Sequence, residues 1–141
     1  MSETETKKIT GTINVDPSRC NFSIFVCGFK LLERMVHKNA VDHGWHNERP
    51  DPNDKRAILN EEGNAFALIH GEVTEAHEAM RHGNGPSEHI PEFSGVEEEL
   101  ADVVIRCMDW AAERNYRLAE AIVAKHEFNK TRPYRHGNKL V

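Results

Sequence analysis

Two acidic pairs carry the chemistry this sequence is expected to perform: Glu72 with Glu75 in GEVTE, and Glu99 with Asp102 in EELAD. Residues three apart on an α-helix are separated by ~60° around the axis and ~4.5 Å along it, so each pair projects to one side and can share a cation. Glu72 and Glu75 each precede an apolar residue of a helical stripe, Val73 and Ala76, and Glu99 and Asp102 precede Leu100 and Val103 in the same way. Both pairs are therefore expected to flank a buried seam. Two such helices packed antiparallel would bring four carboxylates into a partly desolvated groove, where their repulsion calls for divalent cations. All-oxygen ligation points to magnesium, with manganese as the other option. The alternative is a solvated, charged helix face. It lacks local partners, since no Lys or Arg stands three or four residues from Glu72, Glu75 or Glu99, whereas Asp102 has Arg106 one turn away. Glu78, Glu97 and Glu98 are expected at the surface.

Helices must position these acids. Asp16 and Pro17 suit an N-cap and a first helical position, and Phe22, Phe25, Phe29, Leu32 and Val36 then recur at spacings of 3 and 4. The segment HGWHNERPDPND, residues 43–54, holds a glycine, two prolines and several turn formers and breaks that pattern. A second helix is predicted from about Lys55 to Arg81, with Phe66, Ile69, Val73, Ala76 and Met80 on its stripe and Gly83 and Gly85 ending it. Val96, Leu100, Val103, Cys107 and Trp110 mark a third helix, and Arg117 to about Lys130 a fourth. Ahead of them, Ile9, Gly11, Ile13 and Val15 alternate with other residues as a short strand or extended arm would. The expected organisation is an all-α, four-helix bundle over residues 22–132, preceded by a partly mobile arm, 1–21, and followed by a basic tail, 133–141.

Composition narrows the partners. At 141 residues, 38% hydrophobic, the chain suits one domain, and its formal charge of −5 disfavours nucleic acid and anionic membranes. The apolar run from Phe22 to Leu32 is too short to span a bilayer, and the start MSETETKK has no signal-peptide pattern. Three cysteines, Cys20, Cys27 and Cys107, without a CxxC pairing, suit packing roles in a reducing cytoplasm. The apolar content is lean for a self-sufficient core, so a second copy of the chain is expected to complete it. Neither HExxH nor the ExxH of di-iron bundles occurs, which argues against zinc and di-iron sites. His37, His43, His70, His77, His82 and His89 are expected at polar surface or edge positions.

The order ExxE, a gap of 23 residues, then ExxD resembles the MazG-like branch of the all-α nucleoside triphosphate pyrophosphohydrolases. The stretches LIHGEVTEAHEAMR, EEELADVVIRCMDWA and KHEFNKTRPYRHGNK share the likeness, which spans roughly residues 31–139. The resemblance implies a homodimer or higher oligomer that hydrolyses a nucleoside triphosphate between its α and β phosphates. Magnesium would be held by Glu72, Glu75, Glu99 and Asp102, and Glu75 would take a proton from water. Lys125 and Asn129 match residues that lie near the phosphates in the family, so Lys125 is implied to be catalytic. Arg132, Tyr134 and Arg135, with His136 and Lys139, belong to a cationic tail able to close over a nucleotide. Lys125, Asn129 and Arg132 also share one face of the fourth helix, where an ordinary cationic helix end is the competing explanation. Trp45 matches a Gly-Trp of the family and would stack on a base or else cover the core, whereas His46 stands where many relatives have a second aromatic residue. A phosphoribosyl-ATP pyrophosphatase and a noncatalytic helical adaptor with an acidic groove are the alternative functions.

Overall fold

A computed structural model describes residues 22–134 as four packed helices: α1, Phe22–Asp42; α2, Lys55–Arg81; α3, Gly95–Glu113; and α4, Leu118–Lys130. No strand occurs among the described residues; Pro86 and Ser94 form an isolated bridge. The predicted arm strand, the Asp16–Pro17 helix start and the tail from Arg135 onward lie outside the described residues. None of the described helices is long and apolar enough to cross a membrane.

Local chemistry sets the helix ends. The Asp54 carboxylate accepts from the backbone N–H groups of Arg56 and Ala57 and starts α2. At the start of α3, Ser94 and Glu97 form a reciprocal capping box, whose hydrogen bonds hold the Glu97 carboxyl below its usual range. Between these helices, Gly83 at φ 92° and Asn84 at φ 50° turn the chain, and the Asn84 side chain accepts from the Val96 N–H.

This turn also sets register. A Cβ placed on Gly95 would lie 3.1 Å from the Ala79 Cβ, so glycine lets the start of α3 press against the end of α2. Further along, Phe66 packs on Trp110 edge to face, and Arg114 reaches Glu61 at 2.9 Å. The two helices therefore run antiparallel, and one turn beyond the Gly95–Ala79 contact stand Glu99 and Glu75. Helix α1 packs on α3 as well, while α4 folds back along α1 through the Lys30–Glu120 ion pair at 2.5 Å and the Phe22–His126 ring contact.

The predicted apolar stripes are only partly covered in the single chain: Ala76 is buried, and Ile69, Val103, Cys107 and Trp110 are half-buried. The chain's buried apolar side chains, among the described residues, are Ala76, Met108, Ala111 and Ala119. Phe66 is 55% exposed, Val73 50% and Leu100 52%, and Phe25, Leu32 and Met80 are exposed too. Small residues allow close helix approach, which turns the larger ones outward. Burial also takes in two carboxyl groups, Glu33 and Glu72, and desolvation pushes the Glu33 carboxyl up. Cys27, expected to pack, is exposed, while Cys107 is half-buried.

Candidate metal centre and groove

The antiparallel pairing of α2 and α3 gathers Glu72, Glu75 and Glu99 so that one carboxylate oxygen of each lies within 4.8 Å of the others. The three differ in setting. Glu72 is 7% exposed, Glu99 half-buried and Glu75 open to solvent. The two pairs thus do not flank the seam in the same way: Glu72 stands within it, because the close contact at Gly95 rotates the smaller side chains and this glutamate inward.

Arg106 answers that buried charge. Its Nε donates to Glu72 Oε1 at 2.5 Å across the helix pair and not to Asp102, one turn away on its own helix. Asp102 lines the adjoining groove but is not one of the three converging acids. Burial and the Glu72 charge raise its carboxyl, and Arg106 partly opposes them. Glu99 is pushed up to about 7, first by desolvation, then by a hydrogen bond to Glu72 and the charges of Glu75, Glu72 and Glu98. A carboxyl that keeps its proton to neutral pH beside two further acids is short of positive charge. Such a donor set suits a hard divalent cation, whose charge would replace that proton.

Glu98 is not merely surface. It pairs with His89 at 2.7 Å and bonds Ser87, anchoring the α2–α3 loop, and these contacts hold its carboxyl low.

A groove of about 690 Å³ runs between α1 and α2 over α3, a size suited to a small organic ligand. Asp102 and Arg106 border it near the acids; Trp45, His46, Asp109 and Glu113 border it further along. Trp45 is 72% exposed, so in the single chain it lines the groove and does not cover a core. Trp110 is half-buried between Phe66 and Arg114, whose guanidinium lies 4.3 Å from the ring centroid.

Lys125, Asn129, Arg132 and Tyr134 are exposed on α4 and just beyond it, and no α4 side chain lines the groove. The Lys125 ammonium lies 4.8 Å from the Phe128 ring centroid on its own helix. Arg135 lies outside the described residues.

His37, expected at a polar surface or edge position, instead meets His46. His37 on α1 and His46 in the loop after it both contact Asp109 on α3, His37 Nδ1 at 2.8 Å and His46 Nε2 at 2.9 and 3.0 Å. No local motif announces them, because the partners are 72 and 63 residues apart.

Comparison with protein-family models, curated proteins and solved structures finds no match for this chain. Its fold and candidate site define an all-α, four-helix protein with an acidic cluster beside a groove.

Proposed function

We propose that this protein is a magnesium-dependent nucleoside triphosphate pyrophosphohydrolase, with manganese able to substitute. The observation that supports this most is the convergence of Glu72, Glu75 and Glu99 from two helices at the edge of a nucleotide-sized groove. Asp102, on the groove wall, completes the proposed ligand set. Magnesium, when bound, would lower the pKa of an attacking water and offset charge on the phosphates. Glu75, the solvent-exposed member of the cluster, would accept the proton from that water. Arg106 holds the buried Glu72 carboxylate in place by a charge-assisted hydrogen bond across the helix pair. Trp45 offers its face to the base at the far part of the groove.

The outward apolar side chains of α1, α2 and α3 support assembly as a homodimer or higher oligomer. In this assembly a second copy would present its α4, whose Lys125 and Asn129, with Arg132, Tyr134 and Arg135 beyond the helix end, would bind the phosphates. Within one chain that face does not line the groove.

Incubation with magnesium and a panel of ribo- and deoxynucleoside triphosphates tests the reaction. The expected products are the nucleoside monophosphate and pyrophosphate. Release of orthophosphate with a diphosphate would mean attack at the terminal phosphate and would overturn the proposal.

A second measurement concerns the base. Trp45→Ala is expected to raise KM roughly tenfold, equivalent to ~1.4 kcal/mol, without lowering the melting temperature. An unchanged KM would remove Trp45 from the binding site.

A further inference from the structure

We propose that His37, His46 and Asp109 form a second metal site, selective for zinc-class transition ions and distinct from the three glutamates. One donor atom from each residue lies within 4.8 Å of the others, and the three side chains come from α1, the α1–α2 loop and α3. Two imidazoles and a carboxylate form a borderline-soft donor set that favours zinc over magnesium.

The two rings share the same pair of carboxylates, which fixes where neutral imidazoles can place their protons. Each ring stands between two carboxylates: His37 directs Nδ1 to Asp109 at 2.8 Å and Nε2 toward Glu113 at 3.7 Å. His46 directs Nε2 to Asp109 at 2.9 Å and Nδ1 toward the same Glu113 oxygen at 3.5 Å. A neutral imidazole carries one N–H, so it can donate to one of its two carboxylates only, and the other is left facing a lone pair. A metal ion on the Asp109 side resolves this for both rings together. It takes the two inward lone pairs and leaves both protons facing Glu113, the usual arrangement in which ligating histidines are oriented by an outer carboxylate. Glu113 is held in position for that role by its ion pair with Arg49.

The geometry is close to what a bound ion needs. Zinc to nitrogen and oxygen distances near 2.0–2.1 Å imply ligand separations of roughly 3.3 Å around a tetrahedron. The nitrogens are now 2.8 and 2.9 Å from the Asp109 oxygen, so opening by about half an ångström admits the ion. Three protein ligands leave a fourth position for water or a groove-bound donor, and His46, Asp109 and Glu113 all border the groove. Asp109 follows Asp102 by two turns of α3, ~10 Å along the axis, so this site and the glutamate cluster can fill independently. Nothing in the proposal depends on the hydrolase function.

Titration of the full chain with zinc in excess magnesium tests it, with cobalt as the spectroscopic probe. One zinc ion per chain is expected, and the cobalt complex should lack a sulfur-to-metal charge-transfer band. Binding should vanish in the His37→Asn, His46→Asn double variant, persist in Glu75→Gln, and weaken by about 10–100-fold in Glu113→Gln. Absence of tight zinc binding would overturn the site, as would a thiolate band or retention of binding by the double variant. If the double variant does not fold, Glu113→Gln decides: undiminished zinc affinity in that variant would equally overturn the assignment.

Discussion

Glu99→Gln is expected to abolish magnesium-dependent hydrolysis under the proposed function, by on the order of a hundredfold or more, while leaving the metal-free protein at least as stable. The substitution keeps the side chain's shape and removes a charge that the site tolerates poorly. In the metal-free fold the Glu99 carboxyl is pushed up to about 7 from an ordinary value of 4.5. The folded state therefore holds the proton more tightly than the unfolded chain does. Its stabilising contribution is complete below the ordinary value and is lost as pH rises through about 7. Because water reaches this half-buried group, the loss should be on the order of 1–2 kcal/mol, not the full value of the shift. Magnesium replaces the proton, so its effect on the melting temperature should be small at about pH 5 and larger at about pH 8. Melting curves of wild type and Glu99→Gln at both pH values, with and without magnesium, check this. Destabilisation of the metal-free variant by more than ~1 kcal/mol would assign Glu99 a structural bond instead. Equal magnesium shifts in both proteins would remove it from the ligand set.

Arg106→Gln should act in the opposite direction on the metal-free protein. Glu72 is buried at the helix seam, and the Arg106 guanidinium at 2.5 Å is what offsets its charge. Removing the guanidinium leaves a buried carboxylate beside Glu99 and Asp102, at an expected cost of about 1–3 kcal/mol. Magnesium supplies positive charge to the same carboxylates, so it should restore much of the loss and raise the melting temperature more in the variant than in wild type. A loss that magnesium leaves untouched would mean that Arg106 holds the helices together through packing and hydrogen bonds alone.

The helices and the acidic pairs were legible because their causes are local. Periodicity at 3 and 4 residues, with the Pro-containing segment 43–54 before α2 and Gly83 and Gly85 past its end, marks the spans, and three-residue spacing orients each acidic pair. Burial was less legible. The stripe through Phe66, Val73 and Leu100 identifies an apolar face, but periodicity does not say whether the same chain covers it. In the single chain the covered surface passes through Ala76, Met108 and Ala111, with Glu72 beside them.

The sequence by itself determined four helical segments and placed Glu72 with Glu75, and Glu99 with Asp102, at spacings that orient each pair. Tertiary structure decided which charges meet. The close approach at Gly95 sets the register of α3 on α2, bringing Glu99 to Glu75 and placing Arg106 on Glu72, 34 residues away. It also decided that His37 and His46 share Asp109. Helical periodicity orients a side chain about its own axis, whereas a meeting between helices depends on the rotation and offset of both, which are set by contacts far apart along the chain.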